Sequence, residues 1–311
     1  VRRAIMGALA SGVDDFRYMP DTHGITAAAA EEFAKEANFV AVEGTHTAST
    51  LDTIRAAEAM QEEGCGAVLT LGGDGTNRAF ALGWQDATIV PISTGTNNVF
   101  PTMVEATVAG SAAGLIATEQ VPLKDVATQV KAVHVKIEEE KDDLALVDAV
   151  LAADRFVGSR AIWGGERLRE AVLTRAESSA VGITSIGGLL EPLAPDEDEA
   201  LHLKLGPGEG GVSVLAPIAP GLYEPIAVRS HQRIPLEKNV FLQGPGVLAF
   251  DGERERVLKP GQAATLQVAR NGPWVVDVPA TLKYAASSGL FQEALTPDSL
   301  SGKKKLQKDG E

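Results

Sequence analysis

The sequence predicts two unlike halves, an α/β domain on a parallel sheet followed by a mostly β domain of sandwich-like character. Three observations carry this. At 311 residues the chain is longer than one hydrophobic core usually serves. Up to residue 122, helical and strand patterns alternate at the rhythm of βαβ units. Beyond it, short apolar runs are separated by Gly, Pro or Asn-Gly turns such as Asn271-Gly272, the texture of antiparallel strands. The expected division is 1–122, then 123–290, with 291–311 as a C-terminal tail.

Each element has its own signal. The opening VRRAIMGALASGV reads as a helix ending near Gly12. An α/β domain more often starts on a strand, so the expectation is that a first strand and its loop are lacking. Ser49-Thr50-Leu51-Asp52 resembles a capping box, and Leu51, Ile54, Ala57 and Met60 follow at helical spacing up to a stop at Gly64. Residues 67–71 (AVLTL) suit a parallel strand covered on both faces, and lead directly into Gly72-Gly73-Asp74-Gly75-Thr76. A second strand, 88–92, leads into Ser93-Thr94-Gly95-Thr96-Asn97-Asn98. After Pro101 an Ala/Gly-rich helix runs to about Thr118, its small side chains permitting close packing. In the second half, 130–137, 144–151, 212–218, 247–251, 264–269 and 274–278 have strand composition, while 165–175 reads as a helix. The acidic run 195–199 reads as a solvated loop, and Lys303, Lys304 and Lys305 as a frayed tail.

Composition narrows the function. Hydrophobic residues make up 44% and charged residues 23%, as in ordinary globular proteins. No apolar run approaches the roughly 20 residues that span a bilayer, and no secretory pattern opens the chain. Cys65 is the lone cysteine, which excludes an internal disulfide or a cysteine-rich metal site and fits a cytoplasmic location. The histidines show no metal-ligand spacing. With Lys plus Arg 28 against Asp plus Glu 42, the formal charge is -14. Such a surface repels nucleic-acid phosphates and opposes ATP at long range. A nucleotide site here has to use backbone N–H groups, helix N-termini and a metal rather than a basic field.

Three loops answer that description. In Gly72-Gly73-Asp74-Gly75-Thr76 the glycines let the backbone approach a ligand, so that successive N–H groups cradle phosphate oxygens. Asp74 is the odd element. A carboxylate there makes sense as a metal ligand, or as a group that orients or deprotonates an attacking hydroxyl. Thr76 is placed to cap the next helix or to bond a phosphate. The second loop offers hydroxyls and amides, uncharged partners for phosphate or sugar. It should lie at the same carboxyl edge of the sheet, where open α/β sheets hold ligands. The third, Asp251-Gly252-Glu253, reads either as a hairpin turn or as an acidic wall closing the cleft. Asp148, inside LALVDAVL, is either on an exposed face or in a site, because a buried unpaired charge is costly. Arg160 and Trp163 in GSRAIWGG are further candidates.

With these residues in view, LGGDGTNRAF and PISTGTNNVFPTMVEATVAG are similar to the acetoin-catabolism branch of the ATP-NAD kinase family, relatives of the diacylglycerol and sphingosine kinases. LVDAVLAADRFVGSRAIWG, ITSIGGLLEP and LAFDGERE extend the resemblance. It implies a Rossmann-like N-terminal domain, a β-sandwich-like C-terminal domain and a nucleotide cleft between them. It further implies Mg²⁺-dependent phosphoryl transfer from ATP, or polyphosphate, to a hydroxyl; in NAD kinases that is the 2′-hydroxyl of NAD, giving NADP. By resemblance Asp74 and Glu253 are catalytic, and Asp251 is a metal ligand. Gly72, Gly73, Gly75, Thr76, Asn77, Thr94, Gly95, Thr96, Asn97, Asn98 and Asp148 bind the nucleotides. A homodimer or tetramer is implied, with no nucleic-acid or membrane partner. The sequence departs from the family in three places. Val147-Asp148 stands where NAD kinases carry Asn-Glu, SIGGLLEP where they carry Gly-Ser-Thr-Ala-Tyr, and no opening Asn-Pro-x-Ser-Gly loop is found. Open alternatives are a kinase of another polyol or lipid hydroxyl, and a non-catalytic nucleotide-binding regulator linked to acetoin catabolism.

Overall fold

The computed structural model describes residues 1–44, 47–153 and 165–292. Arg160, Trp163 and the three tail lysines lie outside them. The chain opens with α1 (Arg2–Ala10), β1 (Asp15–Tyr18), α2 (Ile25–Glu32), β2 (Asn38–Ala41), α3 (Thr50–Glu62), β3 (Val68–Gly72), α4 (Asp74–Gly83), β4 (Thr88–Ser93), α5 (Ala106–Ala117) and α6 (Leu123–Val126). β1 pairs parallel to β2, and β3 parallel to β4, as helical crossovers require. Local chemistry sets the boundaries. Ser49 accepts the Leu51 N–H at the start of α3 (3.3 Å), and the Asp52 carboxylate accepts those of Thr47 and Ala48. The small residues of α1 and α5 let the two backbones touch: a Cβ on Gly7 or Gly110 would collide with the carbonyl of Thr107 or Ala4.

After β5 (Ala127–Gln129) the chain builds β6 (Ala132–Ile137), β7 (Asp143–Ala145), β8 (Asp148–Ala152), β9 (Leu168–Leu173), α7 (Ile183–Leu190), β10 (Glu199–Leu205), β11 (Val212–Ala219), β12 (Leu222–Pro235), β13 (Asn239–Gln243), β14 (Gly246–Phe250), β15 (Glu253–Leu258) and β16 (Ala263–Ala269). It closes with β17 (Trp274–Val276) and α8 (Val278–Ser287). A seven-stranded sheet, β11-β12-β10-β9-β8-β14-β15, and a four-stranded sheet, β13-β16-β6-β7, are antiparallel throughout. Val135, Leu266 and Val268 from one sheet share a buried core with Leu151, Leu248 and Phe250 from the other, which makes the half a sandwich.

Three expectations change. Residues 165–175 form no helix: a short 3₁₀ turn, Gly165–Arg167, precedes β9. Its Glu, Arg, Ala and Leu favour helix, but β8 and β10 offer ladder partners on both sides, and Ala171, Val172 and Leu173 are fully buried. Residues 274–278 do not stay with the β half. β17 inserts between β4 and β5, parallel to β4, so the first sheet runs β3-β4-β17-β5 and is completed by the far end of the chain. The acidic run 195–199 is exposed but held: buried Lys131 donates to the carbonyls of Glu197 and Glu199 (2.7 and 2.8 Å), and Arg270 pairs with Asp198. No helix among the described residues is long and apolar enough to cross a membrane.

Candidate active site

β3 ends at Gly72, and Gly73, in extended conformation, N-caps α4. Asp74, Gly75 and Thr76 are therefore the first turn of that helix, where N–H groups have no helical acceptor. Gly72 has to be small because Thr76 fills the space a Cβ would need. The second loop folds onto the first. Thr94 donates its N–H to the Gly72 carbonyl (3.3 Å). Asp74 accepts the N–H of Phe100 (2.8 Å) and of Val99, which lies 3.1 Å from each carboxylate oxygen. A Cβ on Gly73 would come 2.7 Å from Asn98 Oδ1. The acidic turn arrives from the other half: a Cβ on Gly75 would lie 3.0 Å from Glu253 Oε1. Residues from all three loops line one cleft of about 510 Å³.

Not every expected residue reaches it. Asn77 is fully buried beneath the loop, accepting from Thr70 Oγ1 (2.6 Å) and donating to the Gly73 carbonyl (2.8 Å), so it is a strut. Thr94, Gly95 and Thr96 form the outer shoulder of the second loop and do not line the cleft, whereas Asn97, Asn98 and Val99 do. Asp251 differs most from expectation. Its carboxylate is buried and accepts three N–H groups, from Leu146 (2.8 Å), Val147 (2.7 Å) and Asp148 (3.1 Å). Oδ1 takes two of these bonds and Oδ2 one, and among the described residues no group of three or more His, Cys, Asp or Glu stands ready for a metal. In this arrangement the Asp251 carboxylate holds the β7–β8 turn.

α7 and its Thr184 were not read from the sequence, whereas Asp148 was. α7 begins at the cleft, with Gly182 (φ 101°) as its N-cap and Val181, Ile183 and Thr184 in the wall. Gly187 and Gly188 hid this helix, and they are required by packing, since a Cβ on Gly188 would strike the backbone at Glu177. Thr184 and Asp148 are both buried in the cleft wall; the Thr184 hydroxyl is near enough to Asp148 to favour its charged form, yet Thr184 Oγ1 and Asp148 Oδ1 have no partner at normal hydrogen-bond distance among the described residues. Orphaned polar atoms in a cleft are what a ligand would satisfy.

Residues 15–120 match the family model of the ATP-NAD kinase N-terminal domain, and residues 131–271 that of the acetoin catabolism protein X C-terminal domain. Acetoin catabolism protein X of Cupriavidus necator is 35% identical over 307 residues, covering 94% of this chain and 86% of that protein. This chain belongs to the acetoin catabolism protein X family. The fold of this family member is that of yeast NADH kinase complexed with NADH, at a TM-score of 0.52 and 13% identity, over 95% of this chain and 85% of the other. The match over residues 15–120 supports a kinase-type phosphotransferase.

The electrostatics of this cleft are those of crowded, dry carboxylates. Burial pushes Asp148 well above the usual carboxylate range, and the neighbouring Asp251 and Asp74 push it further. Burial also raises Asp74, against the N–H groups of Phe100 and Val99. Asp251 is raised to about 6 by burial, opposed by the Leu146 N–H and by Arg78.

Proposed function

We propose that this protein is a small-molecule kinase that transfers a phosphoryl group from ATP, or polyphosphate, to a hydroxyl, with the 2′-hydroxyl of NAD as the first acceptor to test. One observation carries this reading: a helix N-terminus, a polar loop and an acidic turn converge on a cleft whose wall holds two unpartnered polar atoms. Phosphate oxygens take the free N–H groups of the first turn of α4, with Thr76, Asn97 and Asn98 as further partners. Mg²⁺ enters with the donor as MgATP, because the described residues form no metal cage of their own. Asp74, raised by burial, is a stronger base than an ordinary carboxylate and takes the proton of the attacking hydroxyl. Glu253 faces it from the second half. Asp148 and Thr184 hold the acceptor through its hydroxyls. Transfer of this kind depends mainly on positioning and charge neutralisation.

A second acceptor class is favoured by one residue. Val147 is apolar, buried, and has its N–H tied to Asp251, so it offers nothing where NAD kinases carry Asn. Another diol or polyol is therefore screened beside NAD. The test is NADP formation, and ATP consumption with a polyol panel, for wild type, Asp74→Asn and Glu253→Gln. Asp74→Asn is expected to lower kcat by roughly 10²–10⁴; equal rates in both proteins remove Asp74 from the chemistry. Calorimetric binding of ATP or NAD with no acceptor phosphorylated makes the protein a nucleotide-binding regulator instead.

A further inference from the structure

Arg78 lies on α4 one turn beyond Gly75, is 2% exposed, and plays no part in the chemistry above. Everything its guanidinium touches belongs to the second half. Nε donates to the Leu144 carbonyl (2.7 Å), Nη2 to Asp143 Oδ1 (2.6 Å) and Nη1 to Glu255 Oε1 (3.0 Å), while the group lies over the Phe250 ring at 5.1 Å. Arg256 of β15 holds the other Asp143 oxygen, Nη2 to Oδ2 at 3.1 Å. Two guanidiniums pair directly with two carboxylates, and Arg78 also acts on buried Asp251 at longer range.

The spacing gives this network a direction. Gly75 and Arg78 stand three residues apart, on one face of the helix. Glu253 and Glu255 lie on either side of the start of a one-residue bulge in β15: Arg254 pairs with Ala249 and Arg256 with Leu248, which leaves Glu255 as the extra residue. Gly75 meets Glu253, and Arg78 meets Glu255. These are successive rungs of one helix-to-strand contact, the inner one an ion pair and the outer one at the cleft. Glu255 has no partner opposite it on β14, and its ion pair with Arg78 ties this extra residue to α4.

We propose that Arg78 is a positioning residue: by holding Glu255, the extra residue of the β15 bulge, it fixes the path of the chain out of the Asp251-Gly252 turn and so places the Glu253 carboxylate over the first turn of α4. Its consequence for turnover rests on the kinase reading; the placement itself is tested in the free, full-length protein. Hydrogen exchange is compared in wild type, Arg78→Met, Arg78→Lys and Glu255→Gln. In Arg78→Met, amides at 146–148 and 251–255 are expected to exchange roughly tenfold faster or more, with β10 and β12 unchanged. Wild-type protection at those amides overturns the proposal. In turnover, Arg78→Met is expected to lower kcat at least about tenfold while KM for ATP stays within about twofold, with partial recovery in Arg78→Lys. In a Glu253→Gln background, Arg78→Met is expected to cost nothing further, because it acts through that residue. A full multiplicative loss there overturns the route through Glu253. Should Arg78→Met fail to fold, Glu255→Gln at the partly exposed end of the pair carries the same comparisons. Should no acceptor be phosphorylated, the kinase reading falls, and exchange still decides the placement.

Discussion

Asp74 and Asp251 face the same cleft from opposite halves and use one device: each carboxylate collects backbone N–H groups from a neighbouring turn. Asp74 takes those of Val99 and Phe100, pinning the second loop to the first. Asp251 takes three, from Leu146, Val147 and Asp148. The difference is in what remains. Asp251 is only 7% exposed and ties down three separate N–H donors, so it works as an anchor. Asp74 ties down two donors and sits on a helix N-terminus in the cleft wall. An Asp-Gly pair after a strand thus marks a position, while the burial around it and the number of backbone donors it collects differ between the two sites.

Substitutions can break this contrast. The largest stability loss is expected from Asp251→Ala, which strands three buried N–H groups at about 1–3 kcal/mol each before relaxation. Urea unfolding midpoints measure it. Asp74→Ala frees two partly buried donors and is expected to cost less, about 1–3 kcal/mol in all, while its loss of turnover exceeds what that destabilisation explains. Equal midpoint losses in the two variants would erase the distinction between anchor and reactive group.

Acidification sharpens it. Asp251 is raised from its ordinary 3.8 to about 6, so the folded state binds its proton more tightly than the unfolded chain does. The stability from this group is complete below the ordinary value and is lost as pH rises through about 6. Between pH 7 and pH 5 wild type should therefore gain stability from Asp251, and Asp251→Asn should show a flatter profile over that window. Asp74 and Asp148, also raised, add with the same sign.

The smallest effect on stability is expected at Thr184. Its hydroxyl is buried without a partner among the described residues, so Thr184→Val should stay within about 0.5 kcal/mol of wild type or stabilise slightly. Acceptor affinity should fall. A large destabilisation in the unliganded protein would show that the hydroxyl serves the fold.

What was legible in the sequence was local. The glycines of 72–75, the hydroxyls and amides of 93–98 and the Asp-Gly turn at 251–252 identify their own backbone geometry, since turns and helix starts are settled by residues a few positions apart. Long-range pairing was not legible. Residues 165–175 carry helical propensity and become a strand because two neighbours supply ladders. Asn77 resembles a contact residue, yet faces inward to Thr70. The role of Asp251 depends on donors more than a hundred residues upstream, and that of Arg78 on Asp143 and Glu255.

The sequence by itself determined that two Gly- and hydroxyl-bearing turns follow buried strands, that one of them carries a carboxylate, and that a chain of formal charge -14 has no basic field to spare for phosphate. Only the tertiary structure decided which carboxylates are already spent on N–H groups, that α7 and an unpartnered Asp148 complete the wall, and that an arginine on α4 reaches across to fix the opposite turn. The physical reason is range. Backbone conformation at a turn is fixed within a few residues, whereas burial and hydrogen-bond satisfaction, which set the charge and the work of each acid, depend on partners that only folding brings together.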